Sequence, residues 1–490
     1  MNFLHFWKSE KDRIIPSLLF LGSVTLASLG LYEASSFCMY LFPVPLYFLL
    51  RRLKGWETVV YGLNYGLYLA FPTYLWLTKF ERFDPFIMAE IGYGMAFLIS
   101  FAVATYLMRR YPKKEFLQIF GFALVWLILQ IVMHYVEVLG FAKAFIKISN
   151  TPTFFDWVLP YLGTGGVEAL VLGFGFLLAR SIEIYLEGKS LKKLFWYFVV
   201  FAVLIVFGIF QVFTTPQRRA DKTIRVAAVQ GNYGIDWYAR VEQADSILDF
   251  FLKSTREVAD KGAKIVIWPE YAAAVDILTE RPDMSKKIEQ ISKELDVVIV
   301  MGTLEKADPT DQTDKGIGYD LTLVYDPDKG RLEPYRAVYP YSSNIYHGTK
   351  TMVYRTKYGN FPVLSCFEVA RHRFVADYFN KGEPIDFIVA IANNQVFDGT
   401  YGANRLKNHA RRVAGENGRF LMYVTNTAPT TIYDNEGDIV AAVPYQTQGY
   451  VMYDIEKRDN VTLYSRFQDL IPLIVSAGIL GYAFFGVKVA

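Results

Sequence analysis

The chain has 490 residues, 53% hydrophobic and 20% charged, with a net charge of +3. So little charge argues against a wholly soluble protein, and a balance so near neutral argues against a nucleic-acid partner. Two cysteines, Cys38 and Cys366, leave no disulfide framework. His5, His134, His347, His372 and His409 are scattered rather than clustered, so neither a metal nor a cofactor is expected.

The apolar residues are concentrated in the first part of the chain. A bilayer core takes roughly 20 apolar residues per helix, and candidate spans occur at 14–31, 35–50, 58–78, 86–108, 116–138, 158–179 and 194–214. An eighth lies at 469–488. This gives a multi-span α-helical membrane domain, 1–214 with about seven helices, and a C-terminal helix after a polar domain at 221–460. The first span lacks a small-residue cleavage site followed by a soluble domain, so it reads as a helix and not as a signal peptide.

Lysine and arginine set the expected orientation. Lys8, Lys11 and Arg13 precede the first span, Arg51, Arg52 and Lys54 follow the second, Arg109, Arg110, Lys113 and Lys114 the fourth, and Arg180, Lys189, Lys192 and Lys193 the sixth. The alternate loops carry only Lys79 and Arg82, then Lys143 and Lys147. The N-terminus is therefore expected in the cytoplasm, with residues 215–468 on the other side of the membrane. Segment 140–157 mixes aromatics with two lysines and reads equally as an interfacial segment or a plain loop.

The polar half alternates strands and helices. IRVAAVQ (224–230) reads as a buried strand, and 239–261 has helical spacing. AKIVIWPE (263–270), DVVIVMG (296–302), LTLVYDPDKG (321–330), FPVLSCFE (361–368) and DFIVAIANN (386–394) read as further strands. A helix over 402–418 precedes paired strands in 419–427 and 430–440. This pattern predicts an α/β sheet, in which function gathers at the C-terminal ends of strands. Glu270 and Cys366 both stand at such ends. A thiol becomes a strong nucleophile when a base takes its proton, and a carboxylate there is suited to move that proton. A free cysteine at a strand end is also a common small core residue.

Several segments in order resemble the nitrilase, or carbon–nitrogen hydrolase, superfamily, and within it the apolipoprotein N-acyltransferases. VAAVQGN (226–232) resembles the opening strand, IVIWPEYA (265–272) the glutamate motif, and VLSCFE (363–368) the cysteine motif. IANNQVFDGTYG (391–402), HARRVAGENGRFLMYVTNT (409–427) and TLYSRFQD (462–469) resemble the segments that follow. The resemblance implies an α/β nitrilase-like sandwich (αββα) and a bacterial inner-membrane enzyme with its catalytic domain outside the cytoplasm. It also implies a Glu–Lys–Cys triad. A phospholipid would acylate Cys366, and an amine, the N-terminal lipidated cysteine of a lipoprotein, would take the acyl chain. Glu270 and Cys366 match the first and third triad members, and Glu368 matches the supporting acid after the cysteine.

The lysine has no match. In EPYRAVYPYSSNIYHG (333–348), Pro340 fits the family's proline, which puts Tyr335 at the lysine position with Arg336 beside it. Lys350 and Lys357 lie too far along. Arg336 is therefore the expected cation at the oxyanion, held by stacking on nearby tyrosines, with Tyr335 and Glu368 in support. Two other functions remain open on these residues: a membrane-anchored amidase with water as acceptor, and an inactive homologue that binds lipids or lipoproteins.

Overall fold

In a computed structural model the described residues are 3–31, 35, 37–80, 84–135, 153–213, 223–234, 237–307, 317–340, 344–397 and 400–485. They divide into two compact units, one made of 1–215 with 467–490 and the other of 216–466.

The first unit is helical. Among the described residues, five helices are long and apolar enough to cross a membrane: Ile14–Leu31, Phe86–Arg110, Glu115–Met133, Asp156–Leu186 and Leu191–Phe210. The expected span at 35–50 is instead two short helices, Cys38–Leu41 and Pro43–Arg52. Pro43 has no N–H to continue the ladder, and even together the two fall short of the roughly 20 residues a bilayer takes. Trp56–Tyr74 is a 19-residue helix whose tyrosines and Asn64 lower its hydropathy. It packs closely on Asp84–Arg110, because a side chain at Gly66 would put its Cβ 2.3 Å from the Tyr93 carbonyl oxygen. The tail forms a helix over Leu470–Phe485. Most of segment 140–157, read above as interfacial or loop, lies outside the described residues.

Several acids in this unit are held by ion pairs or neutral donors. Arg180 grips Glu115 with two hydrogen bonds of 2.8 and 3.0 Å, and Glu183 takes bonds from Tyr47 (2.6 Å) and Arg51 (2.9 Å). The buried Glu168 accepts from Trp126 Nε1 at 3.0 Å and Gln130 Nε2 at 2.5 Å. A carboxylate among apolar helices needs such donors.

The second unit is a two-sheet sandwich with helices outside. Its strands are β1 (Thr223–Gln230), β2 (Ile265–Ile267), β3 (Val298–Lys306), β4 (Gly318–Asp326), β5 (Gly330–Arg331), β6 (Tyr335–Arg336), β7 (Val353–Arg355), β8 (Asn360–Ser365), β9 (Ile388–Ala392), β10 (Leu421–Thr425), β11 (Thr430–Tyr433), β12 (Ile439–Val443) and β13 (Gly449–Glu456). One sheet runs β13-β1-β2-β3-β4-β5, with β6 also on β4, and the other runs β12-β11-β10-β9-β8-β7. β1, β2 and β3 are parallel, as are β8, β9 and β10.

The two-residue period of a strand explains the layers. Along β1, Val226 and Ala228 enter the core between the sheets, together with Ile265, Ile267, Val298, Val300, Val363, Val389, Ile391 and Met422. Their neighbours Ala227 and Val229 face the opposite way, against Ile247, Leu248 and Phe251 of helix Ala244–Asp260 and Met284 and Ile288 of helix Pro282–Leu295. On the second sheet, helix Gly402–Asn417 lies against β10, and Tyr433 of β11 donates to its Lys407 carbonyl at 3.0 Å. The order is therefore helix, sheet, sheet, helix.

Candidate active site

The parallel strands of both sheets end on the same side, and that is where the chain turns most sharply. Seven described residues other than glycine have positive φ, and four of them follow these strands: Asn232 after β1, Tyr271 after β2, Cys366 after β8 and Asn394 after β9. Such backbone costs of order 1–3 kcal/mol per residue and persists where the surroundings hold it.

Glu270 comes three residues past β2. Trp268 anchors that turn: its N–H continues the ladder to the Val300 carbonyl (2.8 Å), and its ring stacks on Phe251 and donates to Thr255 Oγ1 (3.1 Å). A Cβ on Gly302 of β3 would lie 2.6 Å from Glu270 Cα, so only glycine lets the turn pass. Glu270 is 1% exposed, and its Oε2 accepts the Asn393 N–H at 2.6 Å. Its side-chain neighbours are the Asp320 carboxyl and the Cys366 thiol. Burial, and then the negative charge of Asp320, push the Glu270 carboxyl well above the usual range.

Cys366 sits on an elbow. Ser365 ends β8 in an extended conformation, Cys366 turns to φ 46°, and a 3₁₀ turn runs to Ala370. The thiol is free and buried. Burial and the facing carboxyls of Glu270 and Asp320 raise it well above an ordinary cysteine. The thiolate therefore does not stand preformed; its proton must leave as the sulfur attacks.

Glu368, on the same turn, does not reach into this pair. Its Oε2 takes the Ser365 N–H (2.8 Å), while Oε1 takes Tyr335 Oη (2.7 Å) and the N–H groups of Val338 (2.7 Å) and Tyr339 (3.1 Å). Burial lifts its carboxyl to about 7 against the pull of those bonds. Glu368 and Tyr335 thus fasten the 335–339 segment to the cysteine elbow.

Arg336 stands elsewhere than expected. β6 pairs with β4 in the register Thr322↔Tyr335 and Leu321↔Arg336. Strand alternation turns Tyr335 inward, 1% exposed, and Arg336 outward. The guanidinium bonds Glu305 at 2.5 and 2.7 Å and lies over the ring of Tyr319 on β4. Its assignment as the oxyanion cation is therefore corrected: it is a surface ion pair. Arg336→Ala is expected to cost roughly 0.2–1 kcal/mol, the range of exposed pairs, and to leave the alkylation rate of Cys366 within about twofold of the parent, measured by peptide mass spectrometry. A large fall in that rate would return Arg336 to the site. Lys350 and Lys357 also pair on the surface, with Glu333 and with Asp296.

Two residues that the sequence reading passed over are present instead. Asp320 of β4 is 1% exposed and accepts a 2.5 Å bond from Ser365 Oγ. Its signal was its phase: Asp320, Thr322 and Val324 share the face that enters the inter-sheet core, so a charge there is buried. Arg240 of helix Trp237–Glu242 is 4% exposed, bonds the Tyr271 carbonyl and is attracted to Glu270. Burial lowers its guanidinium to about 10. Among the described residues, no lysine is a hydrogen-bond partner of Glu270, Asp320 or Glu368.

Asparagines join the strand ends. Asn426 Nδ2 donates to Asn393 Oδ1 (2.9 Å) and to the Tyr233 carbonyl (2.9 Å), and Asn394 Nδ2 donates to Tyr423 Oη (2.6 Å).

Residues 225–461 match the family model for carbon–nitrogen hydrolases. That stretch, just under half of the chain, forms a nitrilase-like α/β domain of the carbon–nitrogen hydrolase type. Over a longer stretch the chain is similar to apolipoprotein N-acyltransferases. The one from Aquifex aeolicus is 22% identical over 419 residues, covering 80% of this chain and 89% of the relative. The one from Coxiella burnetii is 23% identical over 372 residues, 71% of this chain and 73% of the relative. A solved nitrilase-superfamily protein of Saccharomyces cerevisiae is 20% identical, with a TM-score of 0.39, covering 48% of this chain and 90% of that one. The relatives and the hydrolase domain support an N-acyltransferase of the nitrilase superfamily. In this carbon–nitrogen hydrolase domain Glu270 and Cys366 meet, Glu368 and Tyr335 brace the elbow, and Arg336 faces outward.

Proposed function

We propose that the chain transfers an acyl chain from a phospholipid, through a thioester on Cys366, to an amine, and that the acceptor is the N-terminal lipidated cysteine of a lipoprotein. The observation that carries this reading is the elbow cysteine beside a buried Glu270, in a chain whose described residues also include five helices long and apolar enough to cross a membrane. Cys366 attacks the ester carbonyl while its proton passes to Glu270. The carbon–oxygen bond breaks, and Glu270 returns the proton to the leaving alcohol, releasing a lysophospholipid. The amine then attacks the thioester, loses a proton through Glu270, and regenerates the thiol. A membrane setting suits both substrates, whose chains remain in the bilayer.

The proposed location is the bacterial inner membrane with residues 221–460 outside the cytoplasm, from the lysine and arginine bias of the loops. A cysteine placed at Asn435 in a Cys38→Ser, Cys366→Ser background reacts with an impermeant maleimide in intact spheroplasts on this orientation. Labelling only after lysis would reverse it.

The purified full chain, given a phospholipid with a labelled acyl chain and a diacylglyceryl-cysteine peptide with a free α-amine, is expected to move the label onto the peptide as an amide. Label released only as free fatty acid would make the protein a hydrolase. An inert protein under these conditions would make it a binding homologue, a reading that the missing lysine favours and the strained Cys366 backbone opposes.

A further inference from the structure

The oxygens of the two buried acids beside Cys366 are unequally satisfied. Glu270 Oε2 has the Asn393 N–H and Asp320 Oδ2 has the Ser365 hydroxyl. The other oxygen of each, Glu270 Oε1 and Asp320 Oδ1, is buried with no donor. Yet the two side chains are hydrogen-bonding neighbours. Two carboxylates cannot bond each other; a carboxylate and a carboxylic acid can, and one proton between them satisfies both orphan oxygens. We propose that Glu270 and Asp320 hold a single proton between them beside Cys366, which makes Asp320 a positioning residue that sets the protonation state of the base.

Among the described residues, the groups facing the pair fit this count. On β8 and its turn are Ser365, a hydroxyl donor, and Cys366, a neutral thiol. After β9 the Asn393 N–H donates, and on β10 the buried Tyr423 phenol is held neutral, raised by its burial. Arg240 supplies one positive charge on the Glu270 side. One cation facing two carboxyls leaves room for one negative charge and one proton. Burial also lifts the Asp320 carboxyl, to about 6. Glu368 and Tyr335 belong to the separate bracing network.

The arrangement balances through a reaction cycle. At rest the pair has one proton and one negative charge. When the sulfur attacks, the thiol proton moves to the pair, which becomes neutral, and the charge passes to the substrate oxygen. On collapse one proton leaves with the alcohol, and the pair returns to its resting state. The oxyanion then faces two neutral acids instead of a second negative charge.

This inference rests on the Cys366–Glu270 reading, so its test uses a small electrophile that needs neither lipid nor amine. Failure here and failure of acyl transfer are therefore separate results. The rate of Cys366 alkylation by chloroacetamide is followed against pH on the full chain by peptide mass spectrometry, which resolves Cys366 from Cys38. Asp320→Asn keeps the shape and cannot ionise. The shared-proton pair and the lone Glu270 of this variant carry the same single negative charge beside the thiol, so the midpoint of the profile is expected to move by less than about half a pH unit; two separate charges at rest would instead let it fall by about one unit or more. Ser365→Ala withdraws the donor that favours the charged form of the pair, so its midpoint is expected to rise. The two results matter together: the Ser365→Ala rise shows that the ionisation of Asp320 reaches the thiol, and the small Asp320→Asn shift shows that the pair carries one charge. An Asp320→Asn midpoint that falls by about one pH unit or more overturns the proposal, because it marks two charges at rest. If that variant does not fold, a Ser365→Ala profile unshifted or moved downward overturns it.

Discussion

Cys366→Ser is expected to remove any acyl adduct and nearly all transfer, while leaving the fold in place. Serine replaces sulfur with a smaller oxygen at a position 5% exposed, and its hydroxyl tolerates the φ 46° backbone as the thiol does. The chemistry is less forgiving. The thiol here is already raised by burial and by the two carboxyls, and an alcohol in the same place releases its proton far less readily. Loss of transfer by about three orders of magnitude or more follows, the scale on which removal of a nucleophile acts. Cys38→Ser is the control, since Cys38 lies in the helical unit and is not in the hydrolase domain. Comparable transfer by Cys366→Ser and the parent would exclude a covalent mechanism.

Glu270→Gln is expected to lower transfer by about 10² or more. Glutamine fits the same space, and its amide oxygen still accepts the Asn393 N–H that Glu270 Oε2 takes at 2.6 Å. Its amide nitrogen supplies the donor that Asp320 Oδ1 lacks, so the buried acid is satisfied without a shared proton. The fold is preserved and the acceptor for the thiol proton is lost. Single-turnover rates of acylation and of amine transfer should fall together, because the same group moves the proton in both. Thermal unfolding close to the parent with turnover at the parent's rate would remove Glu270 from the proton path. A variant that fails to fold would mark its carboxylate as structural.

Much of this was legible because burial writes a local period into the chain. The apolar runs and the strand-end positions of Glu270 and Cys366 are one-dimensional signals. β13 is not: it pairs with β1 from Thr223↔Glu456 to Gln230↔Gly449, across more than half of the second unit's length. Helix Pro282–Leu295 was also passed over, although its buried Met284, Ile288 and Ile291 carry helical spacing. The error at Arg336 has a simple cause. Position counting from Pro340 finds the right neighbourhood, but adjacent residues of a strand face opposite ways, and the two-residue β6 turns Tyr335 in and Arg336 out. Asp320 was missed for a different reason. The strand was read as 321–330, starting one residue after it, whereas β4 begins at Gly318 and carries Asp320 on its buried face. The local sequence of Arg240 does not reveal that its helix turns it toward Glu270.

The most direct test of the central claim is the mass of the Cys366 peptide after the purified full chain has been incubated with phospholipid vesicles and no amine acceptor. The expected result is one acyl chain on Cys366, labile to hydroxylamine, lost on addition of the lipidated cysteine peptide, and absent in Cys366→Ser. An unmodified Cys366 in a preparation that nevertheless transfers acyl chains to the amine would contradict the thioester account.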